Sequence, residues 1–420
     1  MIINSSNKTD NFNIKYWLKF SILNLLIVGS LGVLMRYKIG FEFPYFNQKY
    51  IQEAHSHFAF AGWITHTLYI LMINFILHKI PTGHYKQYRT LIITNLLCAY
   101  GMLLSFLIEG YGIISITLSG ITILVAYFYA YYFIKDLKKL TVYNPSTAWF
   151  KAALWFNIIS SLGTFYLAYI MTSRNFDEYW YLASAYFYLH FQYNGFFIFT
   201  CMGLVYSKIQ TILPNFKHDK TFFNLFFISF LPAYFLSVLW AKLPIWLYVI
   251  VVIAAFLQVI AWVKFIGRVR KNLTSNINLP KLIQYLFLFV ASAFSIKLLL
   301  QLGSTIPEIS QLAFGFRPIV IAYLHLVLLA VISVFLILYM QSLKLIRHNY
   351  LSIAGIILFV IGVFLNELFL AIQGIASFSY YSVPMINESL FAVSLILLTA
   401  LILLAISQRK YSVSKKLNQV

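Results

Sequence analysis

Twelve runs of about twenty mostly apolar residues divide this chain, at 16–35, 54–78, 88–108, 113–134, 149–171, 182–209, 222–240, 245–266, 282–302, 318–340, 351–373 and 390–406. Crossing the hydrocarbon core of a bilayer takes about 20 apolar residues in a helix. A spanning helix also satisfies every backbone polar group internally, which lipid cannot do. The loops between runs are too short to hold a folded domain. The runs therefore predict an all-α, polytopic integral membrane protein with a polar tail at 1–14, a single twelve-helix domain at 15–408 and a basic tail at 409–420. The first run is too long for a cleavable signal and lacks a small-residue cleavage site. Composition agrees: 61% of residues are hydrophobic and 10% charged, against roughly 45–50% and about 25% in soluble domains. A soluble enzyme and a disordered chain are excluded. Two cysteines, Cys98 and Cys201, both inside runs, exclude a disulfide scaffold.

The formal net charge of +20 would suggest nucleic acid if the basic residues shared one wet face. They do not. With the N-terminus inside, 24 of the 31 Lys and Arg residues fall at the inner ends of the runs. Six fall outside, Arg36, Lys38, Lys49, Arg174, Lys242 and Arg317, and Lys297 lies within the ninth run. Basic residues favour cytoplasmic loops. Both termini are thus expected in the cytoplasm, the membrane being a bacterial inner membrane. The partner of this charge is the lipid bilayer with its anionic headgroups, and nucleic acid is not a partner.

Nine histidines sort by position. His78, His84, His218 and His348 sit at inner ends beside Lys or Arg and read as solvated interface residues. His55, His57, His66, His190 and His325 lie within runs, where an ionisable side chain points to function. Counting to the first inner basic residue, His57 is 22 residues away, His190 is 18 and His325 is 19. At about 1.5 Å per residue these are roughly 33, 27 and 28 Å, one level in the outer third of the bilayer. The three belong to the second, sixth and tenth runs. Imidazoles on facing helices are the usual axial ligands of haem iron. His55 and His57, two residues apart, point to opposite sides of a helix. His57 matches His325 better in depth and leads into Ala61 and Gly62, whose small side chains leave room for a flat macrocycle. His55 is the alternative, and with His66, eleven residues on, it also fits a polar path.

In topology and in three short stretches the chain resembles subunit I of the haem–copper oxidase superfamily, which includes cytochrome c and quinol oxidases and the nitric oxide reductase large subunit. The stretches are His55-Ser56-His57-Phe58-Ala59-Phe60-Ala61-Gly62-Trp63, His190-Phe191-Gln192-Tyr193-Asn194 and Ala322-Tyr323-Leu324-His325-Leu326. The resemblance implies a low-spin haem b held between the second run and His325, with His190 and Tyr193 at the place of a second metal site. The departures are as informative. The family's His-His pair on the seventh helix has no counterpart, and Tyr323 stands where the high-spin haem ligand belongs. His190 alone cannot hold copper, and copper or non-haem iron is not expected. No Cys-x-x-Cys-His is present, so haem is not expected to be covalently attached.

Other intramembrane polar residues carry two readings each. Arg317, eight residues before His325, suits a haem propionate or an interface anchor. Lys297 suits a propionate or snorkels outward, and Glu367, beside Asn366, is a candidate partner for it. Gln192, Tyr193 and Asn194 fit a small-ligand pocket or a helix–helix hydrogen-bond network. The resulting expectation is a haem b protein for electron transfer or for redox or gas sensing, working with a respiratory redox partner or additional subunits. A second reading keeps oxygen or nitric oxide reduction at an unusual site on His190. A third is a secondary transporter or scaffold without haem. Transporters break helices near the midplane, and here only Pro232 lies well inside a run.

Overall fold

A computed structural model describes residues 12–77, 79–80, 82–173, 177–213, 216, 220–272, 279–310 and 316–409. His78, His218, Arg174 and most of both tails lie outside the described residues. Each predicted run is a spanning helix: α1 (Ile14–Gly40), α2 (Gln48–Leu77), α3 (Tyr85–Glu109), α4 (Ile113–Leu137), α5 (Ser146–Thr172), α6 (Glu178–Ile212), α7 (Lys220–Ala241), α8 (Ile245–Asn272), α9 (Lys281–Gly303), α10 (Arg317–Ser342), α11 (Tyr350–Phe378) and α12 (Ile386–Ser407). No strand occurs among the described residues. Polar side chains start several helices by taking backbone N–H groups that have no helical partner. Asn13, Asn47, Asp177 and Asn349 do this for α1, α2, α6 and α11. The turn from α3 to α4 is short, with Gly110 at φ 64°, a conformation that favours glycine.

Chain neighbours pack together and α12 closes against α1, so the helices form a ring. Three of them, α2, α6 and α10, turn inward and meet. Trp63 Nε1 donates to Ser333 Oγ at 2.9 Å between α2 and α10. Phe60 and Phe197 pack at 5.2 Å between α2 and α6. Lys208 Nζ donates to the Ser342 carbonyl between α6 and α10.

These three helices share a local departure. Each contains a π-helical segment: Ala59–Thr65 in α2, His190–Phe197 in α6 and Leu326–Ser333 in α10. A π turn shifts the backbone ladder by one residue and leaves carbonyls to be satisfied otherwise. Side chains do so here. Asn24 from α1 donates to the Gly62 carbonyl and Asn95 from α3 to that of Ala61. Thr200 donates to Phe196 O in α6, and Ser333 to Leu328 O in α10. The segments recur every fourth helix, and each begins at, or within two residues of, one of the three histidines at equal depth.

Pro232 breaks α7. It lacks an N–H and its ring crowds the carbonyl four residues back. The α-helix stops at Phe230, and Pro232–Ala241 continues as a 3-10 helix.

Candidate functional site

The N-terminal half of α10 is loosely covered. Arg317–His325 contains no buried residue, whereas Leu326–Ser333 and Val334–Ser342 are mostly buried. His325 is therefore half-buried at the boundary between an open N-terminal segment and a packed C-terminal one. Its Nδ1 lies 2.9 Å from the Ile321 carbonyl, one turn back. A carbonyl can only accept, so Nδ1 carries the proton and Nε2 keeps its lone pair.

His55 is held in the same manner. Its Nδ1 lies 3.1 Å from the Val28 carbonyl of α1, which again leaves Nε2 as a free acceptor. Gly32 of α1 faces the ring, where a Cβ would sit in ordinary contact, 3.7 Å from His55 Cε1. No described residue bonds to Nε2 of either histidine. His55 and His325 lie within electrostatic reach of each other, and both lie within reach of Arg36 at the outer end of α1. Arg36 is half-buried and forms no ion pair among the described residues.

His57 points elsewhere. Its Nε2 lies 2.9 Å from the Tyr111 hydroxyl, and its ring stacks on Phe106 at 4.3 Å. Both partners belong to the α3–α4 side. The structure thus brings His325 together with His55 and not with His57, the reverse of the preference drawn from depth. Gly62 also differs from expectation. Its missing side chain is filled by its own helix, since a Cβ there would lie 2.8 Å from the Phe58 ring.

His190 is 1% exposed, and both ring nitrogens are engaged. Nε2 lies 3.1 Å from the Phe230 carbonyl, and Nδ1 lies 3.4 Å from Asn194 Nδ2. Phe230 ends the α-helix before Pro232, where carbonyls lose their intrahelical partners, so the proline break presents an acceptor to His190. The ring also stacks on Phe230 at 4.5 Å. Lys297 faces this cluster, within reach of His190 and over the Phe294 ring at 5.5 Å. It is 2% exposed, so it does not snorkel to the surface, and no ion pair joins it to Glu367 among the described residues; Glu367 takes a hydrogen bond from Asn366. Gln192 accepts from Ser160 of α5 at 3.0 Å. Tyr193 and Tyr323 lie within electrostatic reach across α6 and α10. No group of three or more His, Cys, Asp or Glu residues suited to a metal ion occurs among the described residues.

Arg317 is exposed and donates to Gln52 Oε1 at 2.6 Å, tying the outer ends of α10 and α2 together. His66 is fully buried, its ring against that of Trp17 at 6.5 Å. His84 is no solvated interface residue. Its backbone N–H and Nδ1 bond to the buried carboxylate of Asp136 at 2.9 and 2.7 Å.

Arg36 had registered in the sequence only as one of six outer basic residues. Its distinguishing signal is position: four residues from Gly32, it lies one turn further out on the same face of α1. Comparison of the chain with protein-family models gives no match. No curated protein matches it either.

Proposed function

We propose that this protein is a membrane-integral haem b protein, related in architecture to haem–copper oxidase subunit I, and that it transfers electrons within a respiratory membrane. One observation carries the reading. Two half-buried histidines on neighbouring helices each give Nδ1–H to a backbone carbonyl and hold Nε2 free, within electrostatic reach of one another. Histidines that bind metal are typically fixed in this way, the second nitrogen setting tautomer and ring orientation. The donor set suits haem iron, which takes two imidazoles as axial ligands. Arg36 supplies a cation without a carboxylate partner, as a propionate requires. Arg317 holds α10 to α2 above the pair and so fixes the separation of the two ligand helices.

When bound, the haem supplies one-electron redox chemistry. The chain orients it through His55 and His325, balances its acidic side chains with Arg36, and limits water with the apolar packing below Leu326. Were His55 and His325 both to hold the iron through Nε2, they would leave no ligand position for a gas. Electron transfer is therefore preferred to gas sensing. A reductase reading is weaker, because His190 is committed to Phe230 and Asn194.

Full-length protein purified from haem-supplied cells tests the reading. The expected preparation is red, with a Soret band and about one haem b and one iron per chain. A colourless preparation would overturn it.

A further inference from the structure

The ring of helices closes where α1 meets α12, and this seam is not uniform. Near mid-membrane the two helices touch closely at Gly29: a Cβ there would lie 2.6 Å from Leu401 Cδ1. Toward the end that carries the termini the seam holds a cleft of about 410 Å³, within the size range of ligand sites. Ile22, Leu23 and Leu26 form one wall, and Ile402, Ala405 and Ile406 form the other. Lys19 and Arg409 stand at the mouth. Both are exposed, and neither forms an ion pair among the described residues. No acidic residue lines the cleft.

We propose that this cleft binds one anionic phospholipid from the leaflet at the terminal end of the bundle. Two features select that occupant. The first is depth. Lys19 is ten residues from Gly29 and Arg409 is eight from Leu401, which places the mouth roughly 12–15 Å from the pinch. That is about half of the ~30 Å hydrocarbon core, the reach of one leaflet's acyl chains. The second is charge. Two unpaired cations over apolar walls suit a phosphate headgroup with its chains below, and basic pockets between helices on the cytoplasmic side bind such headgroups.

The mouth is also held in shape. Gln408 Oε1 accepts from the Arg347 backbone N–H at 2.9 Å, and the Arg347 guanidinium donates to the Arg409 carbonyl. The loop after α10 thereby fixes the end of α12. A bound lipid would bridge the first and last helices of the ring and stabilise its closure.

The test uses the full chain in neutral detergent. Phosphatidylglycerol, phosphatidylcholine with the same acyl chains, and inorganic phosphate are titrated separately. Retention is read by native mass spectrometry and by the thermal midpoint. The expected result is that phosphatidylglycerol is retained and raises the midpoint, while the other two do neither. The double variant Lys19→Gln, Arg409→Gln should bind phosphatidylglycerol roughly 25-fold more weakly, each basic residue contributing about fivefold. Its midpoint without lipid should equal that of the parent. Ala405→Trp, which fills the cleft and leaves both charges in place, should also lose the lipid. Equal retention of phosphatidylcholine would overturn the proposal. So would undiminished binding by the double variant, or a free-phosphate site that competes with the lipid. Should the double variant fail to fold, phosphatidylglycerol still bound by folded Ala405→Trp protein would overturn it as well.

Discussion

Replacing His325 by alanine is expected to abolish the six-coordinate haem spectrum. His325 offers its only unclaimed polar atom, Nε2, beside His55, and its other nitrogen is spent on Ile321 within the same helix. Removing the ring removes one of two proposed iron ligands and breaks no bond between helices. Alanine is the best helix former, so α10 should persist and the thermal midpoint of the haem-free protein should hold. Even the outer partners of metal ligands are worth about 10–100-fold in affinity, so haem content should fall by tenfold or more. Any haem that remains should lack the low-spin signature. His190→Ala serves as the contrast and should leave the spectrum unchanged, because His190 already bonds to Phe230 and Asn194. A His325→Ala spectrum identical to that of the parent would refute the ligand assignment.

The second large effect concerns stability. Asp136, at the end of α4, is fully buried. It accepts four hydrogen bonds: two from His84, one from Tyr88 at 2.7 Å and one from Lys139 at 2.8 Å. Lys139 also donates to the Thr82 carbonyl. The carboxylate thus joins the α2–α3 loop, α3 and α4 at the inner end of the bundle. Asp136→Ala leaves buried donors without a partner. Losing one member of a buried charged network costs about 3–5 kcal/mol, and the half-exposed Lys139 places this case near roughly 3 kcal/mol. Thermal unfolding in detergent should show a midpoint lower by several degrees. Asp136→Asn keeps one acceptor oxygen and should lose about half as much. An unchanged midpoint for the alanine variant would show that the network does not hold these elements together.

How much of this was legible in the sequence follows from what the bilayer demands and what packing decides. A span must be long, apolar and helical, so all twelve helices could be read from composition alone. Pro232 was legible as a lone proline inside a run. What it accomplishes, presenting the Phe230 carbonyl to His190, depends on α6 lying beside α7. The π segments were not legible, since one shifted hydrogen bond leaves no compositional mark. Their small and polar residues, such as Gly62 and Gly195, were visible but carry other meanings too. The partners of His55 and His57 were not legible for a related reason. They differ by only two residues in depth, and it is the Val28 carbonyl on α1 and the Tyr111 hydroxyl beyond α3 that hold the two rings. Lys297 and Asp136 illustrate the same limit: depth can be counted along a chain, but partners on distant helices cannot. His84 was misread because a histidine among basic residues at a helix end resembles a solvated one until Asp136 is found beneath it.

The measurement that bears most directly on the account is the reduced-minus-oxidised spectrum of the His55→Ala and His57→Ala proteins, taken side by side from haem-supplied cells. The account predicts that the His55 variant loses the low-spin bands while the His57 variant keeps them, since His57 is turned toward Tyr111 and Phe106. Retention of those bands in the His55 variant with their loss in the His57 variant would contradict it.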